Sequence, residues 1–115
     1  MITHYQWGVF EVDLSPIVGS EQGGRRPVLV VSNEPFNQAM LVLTVLPLTS
    51  TQRRLYPAEV SLPKRAAGQP LESIIMAHQV RTISKRRIAR LLGHLNDPPL
   101  RHQVQKALRD HFDLT

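Results

Sequence analysis

Apolar and polar residues alternate in short stretches through the first two-thirds of the chain, and the period lengthens in the last third. Trp7 to Leu14 alternates as a strand does. Phe10, Val12 and Leu14 share one face, while Glu11 and Asp13 share the other with Val9. Val28 to Ser32 is a continuous run rich in β-branched residues, the pattern of a strand covered on both faces. Asn33-Glu34-Pro35 ends it. Leu41 to Leu48 reads as a third strand, and Pro47 near its end predicts an edge or a bulge. Ala58 to Leu62, closed by Pro63, then Ser73 to Met76 and Gln79 to Thr82 complete the β region. Short strands at close spacing predict a small, strongly curved antiparallel sheet resembling a barrel.

The later pattern reads as helix. Ser84 is placed as the N-cap of a helix over Lys85 to Leu92, with Gly93 as its stop. A second helix follows Asp97 as N-cap, with Pro98 at its first position. Leu100, Val104, Ala107, Leu108 and His111 or Phe112 recur at helical spacing, one apolar stripe to lay on the sheet. The expected fold class is therefore α+β, mainly β. No repeat, low-complexity tract or linker divides residues 1–115, which are expected to form one domain.

Composition narrows this picture. A hydrophobic fraction of 42% supports a packed core and argues against disorder. The absence of cysteine excludes disulfides, thiolate zinc sites and thiol nucleophiles, and fits a reducing compartment. Met1 to Trp7 lacks the basic and apolar segments of a signal peptide. The longest apolar stretch, Ala39 to Leu48, is half of the ~20 residues a membrane helix needs. A cytoplasmic protein without membrane association is expected. The net charge of +5 suits a polyanionic partner, whether nucleic acid, a membrane surface or an acidic protein, and does not choose among them.

Candidate chemistry is reached by elimination. The histidines at 4, 78, 94, 102 and 111 form no His-x-x-x-His pair, so neither a metal site nor a cofactor is expected. No P-loop, dinucleotide fingerprint or nucleophile elbow is present. What remains is an arginine, hydroxyl and carboxylate set: Arg25 and Arg26 with Glu21, Thr49 with Ser50, and Gln79 with Arg81. The segment Gly19 to Pro27 delivers Arg26 to the second strand, and Pro27 biases Arg26 toward an extended backbone. If the second and third strands are antiparallel neighbours, Arg26 and Thr49 meet at one rim of the sheet. A guanidinium fork beside a hydroxyl is a receptor for the charge of a phosphate transition state. The plainer reading is a solvated arginine pair neutralised by Glu21 and a threonine that caps a local amide.

Basic residues also cluster at Lys85, Arg86, Arg87 and Arg90, at Arg53-Arg54 and at Lys64-Arg65. These are either solvated faces or parts of a single-stranded nucleic-acid groove, whose stacking would rest on Trp7, Tyr5, Tyr56 or Phe36.

The chain resembles the MazF/PemK family of toxin endoribonucleases. The resemblance is carried by Gly8-Val9-Phe10, Asp13-Leu14-Ser15-Pro16 and the block Gly19-Ser20-Glu21-Gln22-Gly23-Gly24-x-Arg26-Pro27. It continues through Pro47-Leu48-Thr49-Ser50, Tyr56-Pro57-x-Glu59-Val60 and Gln79-Val80-Arg81-Thr82-Ile83. It implies a homodimer of small SH3-like barrels, the CcdB/PemK-like fold. It also implies sequence-specific, metal-independent cleavage of single-stranded RNA through 2′-hydroxyl attack, and inhibition by an acidic MazE-like antitoxin. By the same resemblance the catalytic residues fall on Arg26, Thr49 and Glu21. RNA contacts are expected from Ser20, Gln22, Arg25, Ser50, Arg53, Gln79, Arg81 and Arg86. The identity of the general base stays open, and His78 stands where the family often has glutamate. Two other classes share the fold: a catalytically silent RNA-binding module and a CcdB-like gyrase poison. The second depends on a C-terminal Trp-Gly-Ile, which is absent from the ending His111-Phe112-Asp113-Leu114-Thr115.

Overall fold

The structure, a computed structural model, describes residues 2–15, 19 and 24–114. Seven strands run β1 (Gly8–Asp13), β2 (Arg25–Val30), β3 (Val42–Thr49), β4 (Glu59–Leu62), β5 (Ser73–Met76), β6 (Arg81–Ser84) and β7 (Ile88–His94). Two helices accompany them, α1 (Glu34–Ala39) and α2 (Pro98–Phe112). The strands form one sheet in the order β4-β5-β3-β2-β1-β7, with β6 also paired to β3. All recorded pairings are antiparallel.

Alternation sends successive side chains to opposite faces, and both faces are buried. Val9, Leu29, Leu46 and Leu48 point into one core, which α2 closes with Val104 and Ala107. Phe10, Val12, Val28, Val30, Leu43 and Val45 point into the other. The double burial expected of the second strand is therefore found, and it extends to β1 and β3. On α2, Asp97 caps the Leu100 amide, and Leu100 and Leu108 flank the buried Val104 and Ala107 as the stripe requires. His111 and Phe112 end the helix exposed.

Five local expectations are corrected. Residues Lys85 to Leu92 are not a helix. A 3₁₀ turn at Lys85–Arg87 leads into β7, which pairs with β1. The register slips twice along this pair, between Val9 and Phe10 and between Glu11 and Val12. Each bulge inserts a residue, so Ile88, Leu91 and Leu92 fall at helix-like spacing on a strand. Gly93 is not a helix stop either. It lies where β7 touches the 64–70 loop: a Cβ there would meet the Ala67 carbonyl at 2.5 Å.

Pro47, expected at an edge or bulge, sits inside the central strand. Val42–Val45 pair with β6 and Leu48–Thr49 pair with β5, so Pro47 occupies the step where β3 changes partner. The strand expected over Gln79 to Thr82 starts two residues later, after a 3₁₀ turn at Ala77–Gln79. Lastly, the segment after Asn33 is a short helix. Asn33 accepts from the Phe36 amide, and Pro35 occupies the first turn. The Glu34 carboxylate accepts from the Tyr5 and Gln6 amides and so ties α1 to the start of the chain. Burial pushes this carboxyl up, but bonds from Gln38, Gln6, Asn37 and Tyr5 outweigh it and hold the pKa at about 2.

Candidate active site

β2 begins at Arg25, three residues before the apolar run, because its first residues pair with β1: Asp13 with Arg25 and Val12 with Arg26. On its other side β2 pairs with β3, Val28 opposite Pro47. Continuing that register by two residues sets Arg26 across from Thr49, the last residue of β3. The rim inferred from the strand ends is therefore formed. Arg26 Nη1 donates to the Leu48 carbonyl at 3.2 Å, which aims the guanidinium along the end of β3.

Arg26, Thr49, Ser50 and Thr51 line a pocket of about 250 Å³, closed on other sides by Pro27, Leu71 and Ser73. Arg26 is half-buried, and burial pulls its pKa down. It stays protonated at physiological pH, since guanidinium ordinarily titrates above ~12. Partial burial also extends its electrostatic reach: a cation with reduced hydration acts on a nearby anion through a lower effective dielectric. The Thr49 hydroxyl accepts from the Thr51 amide at 3.3 Å, which leaves its own proton for an outside acceptor. A fixed cation, a hydroxyl donor and a pocket of this size suit a single phosphodiester and its neighbouring sugar.

Arg25 also lines the pocket and pairs with Glu11, Nη1 to Oε1 at 3.1 Å. Arg90 donates to the other oxygen of Glu11 at 3.3 Å. Hydrogen bonds from Arg25 and then Arg90 draw the Glu11 carboxyl below its ordinary pKa. Arg87 donates to the carbonyls of Asp13 and Ser15 and so pins the exit of β1 toward the 16–23 segment. Ser20, Glu21 and Gln22 lie outside the described residues. Leu71 and Ser73 are pocket residues that no motif marked. The β3-β5 pairing, with Thr49 opposite Ile74, brings them to the rim, and the Ser73 hydroxyl donates to the Leu71 carbonyl at 2.7 Å.

The remaining expected contacts do not line this pocket. Arg81 starts β6 opposite Val45, Gln79 ends a 3₁₀ turn, and Arg86 is exposed in the next such turn. Arg53 is held in a clamp. Its Nη1 and Nη2 reach the two oxygens of Glu59 at 2.7 and 2.8 Å. The Glu59 side chain is fully buried, and it also meets His78 Nε2 at 2.8 Å and the Tyr56 amide at 2.7 Å. Hydrogen bonds from Arg53 first, then from His78 and Tyr56, outweigh burial and hold Glu59 at about 2. His78 is thus engaged in this clamp and is not among the residues that line the pocket.

Residues 5–112 match the PemK-like, MazF-like toxins of type II toxin-antitoxin systems. The endoribonuclease EndoA of Bacillus subtilis is 38% identical over 102 residues, which cover 88% of this chain and 87% of that protein. The crystal structure of MazF from Deinococcus radiodurans superposes with a TM-score of 0.81 at 27% identity, covering 95% of this chain and 96% of that one. A mycobacterial endoribonuclease in complex with its cognate antitoxin superposes with a TM-score of 0.80 at 25% identity, covering 98% of both chains.

Proposed function

This chain belongs to the PemK-like, MazF-like toxin family of type II toxin-antitoxin systems, and from that premise we propose that it is an endoribonuclease whose reaction centre is the Arg26–Thr49 pocket. The observation that carries this reading is the pairing of a half-buried, backbone-anchored guanidinium with a hydroxyl at one sheet rim. The substrate is single-stranded RNA read at a short sequence. The ribose 2′-oxygen attacks the adjacent phosphorus while its proton passes to a base, for which Glu21 is the proposed acceptor. The bond to the 5′-oxygen breaks, and that oxygen takes a proton. The products are a 2′,3′-cyclic phosphate and a 5′-hydroxyl end.

Arg26 stabilises equatorial charge on the phosphorane, and Thr49 donates to a non-bridging oxygen. A guanidinium is a poor base because it stays protonated, so its role is electrostatic, with proton donation to the leaving oxygen as a second use. This chemistry needs no metal cofactor. Ser20, Gln22, Arg25 and Ser50 contact RNA next to the scissile bond, and Gln79, Arg81 and Arg86 extend the contact. The protein acts in the cytoplasm as a homodimer, and an acidic antitoxin segment occludes the basic site. The D. radiodurans MazE-MazF complex and the mycobacterial endoribonuclease with its cognate antitoxin support an antitoxin partner by similarity.

The test is incubation of purified protein with a long RNA in EDTA, followed by mapping of the ends. Fragments limited to one sequence, with 5′-hydroxyl ends, are expected. Retarded but intact RNA would instead indicate a silent RNA-binding module.

A further inference from the structure

Single-stranded RNA is gripped by base stacking as well as by charge, and the chain has only six aromatic residues of the Phe, Trp and Tyr types. Most are engaged. Trp7 packs on the core beneath the Arg101 guanidinium, 5.1 Å from its ring centre. Phe10 is buried, and Tyr5 packs against it with Lys85 on its ring. Phe36 is half-buried in α1. Phe112, at the end of α2, is edged by the His111 ring. Tyr56 is 54% exposed, as Phe112 is at 53%, but it differs in its backing: the Arg53 guanidinium lies 4.4 Å from its ring centre.

That ring is held in place. Arg53 is fixed by two bonds to the buried Glu59, and the Tyr56 amide donates to the same carboxylate. Ring, guanidinium and backbone therefore share one buried anchor, and the ordering cost of a stacking surface is met before RNA arrives. The platform is also close to the pocket. Thr49 pairs with Ile74 on β5, and Glu59 pairs with Met76 on the same strand. Two inter-strand steps and two residues of rise place Glu59 on the order of 12 Å from Thr49. Between them, Thr51 lines the pocket and Gln52 is tied to the Glu72 carbonyl at 3.2 Å.

We propose that Tyr56 is a nucleobase-stacking platform, its outer face taking an unpaired base of the RNA a short way from the scissile phosphate. The proposal rests on the endoribonuclease reading and deepens it. A π face accepts any base, so Tyr56 supplies affinity and positioning rather than sequence readout. Arg53, expected from the sequence to contact RNA itself, acts through the ring that it backs.

The test compares wild-type protein with Tyr56→Ala and Tyr56→Phe, using a cleavable RNA oligonucleotide. Loss of one base stack is expected to raise KM roughly 5- to 100-fold with little change in kcat. Tyr56→Phe is expected to restore wild-type KM. The salt dependence of RNA binding is expected to keep its slope, because no phosphate contact is removed. Tyr56→Ala with wild-type KM overturns the proposal, as does a flatter salt slope or a changed oligomeric state. Wild-type protein that binds RNA without cutting it refutes the nuclease reading alone, and weaker binding by Tyr56→Ala then still supports stacking. Wild-type protein that neither binds nor cuts RNA overturns both.

Discussion

Replacing Glu59 by glutamine removes the charge at the centre of the clamp while keeping its shape. The Glu59 side chain has no solvent exposure, and its pKa is held at about 2 against an ordinary 4.5. A shift of that size corresponds to roughly 3 kcal/mol of preference for the ionised carboxylate in the folded state. The folded-state pKa is depressed, so this stabilisation is complete above the unfolded value and disappears as pH falls from about 5 toward 2. Glu59→Gln is therefore expected to be less stable than wild type by about 3 kcal/mol at pH 7, and nearly equal to it close to pH 2. Glu34, also held at about 2, weakens both proteins together in acid, so the difference between them isolates Glu59. Urea unfolding at fixed protein concentration, repeated from pH 7 down to pH 2.5, measures that difference. A gap that stays constant across the range would show that ionisation of Glu59 is not what holds the 50–59 loop, and the reasoning would fail.

Other consequences are tested more briefly. Thr49→Ala is expected to lower cleavage about 10²-fold without loss of folding, while Thr49→Ser keeps most activity; single-turnover rates with a short RNA decide this. Gly93→Ala drives a methyl group into the Ala67 carbonyl, so a loss of at least ~1 kcal/mol in urea unfolding is expected. Arg87→Ala frees the Asp13 and Ser15 carbonyls at the exit of β1. Faster amide exchange of residues 13–15 is expected, with α2 unchanged.

What the sequence made legible follows from the range of each signal. Strict alternation in Phe10, Val12 and Leu14, and the dense run from Val28, identified β1 and β2 because Phe10, Val12, Leu14, Val28, Leu29 and Val30 are buried as the pattern says. The rim that joins Arg26 to Thr49 was legible as well, since it needs only two strand ends and antiparallel pairing. β7 was misread because its two bulges insert residues into the alternation, a tertiary adjustment to β1 that leaves Ile88, Leu91 and Leu92 at helical intervals. α1 is six residues long, too short for periodicity to register, although Asn33 and Pro35 were already the residues of a capped first turn. The Glu59 clamp joins three segments, so its partners Arg53 and His78 appeared only as a loop cation and a lone histidine. Its one local trace is Tyr56-Pro57-x-Glu59, in which a carboxylate sits three residues after the amide it accepts from.

The central claim is that the half-buried guanidinium at the β2–β3 rim stabilises the phosphorane during RNA cleavage. The most direct measurement is the single-turnover rate of Arg26→Ala against wild type on one cleavable RNA in EDTA, with both proteins confirmed as folded by unfolding curves. The account predicts a fall of at least ~10²- to 10³-fold, the scale of losing one preorganised donor to developing charge. Cleavage by folded Arg26→Ala at the wild-type rate would contradict it.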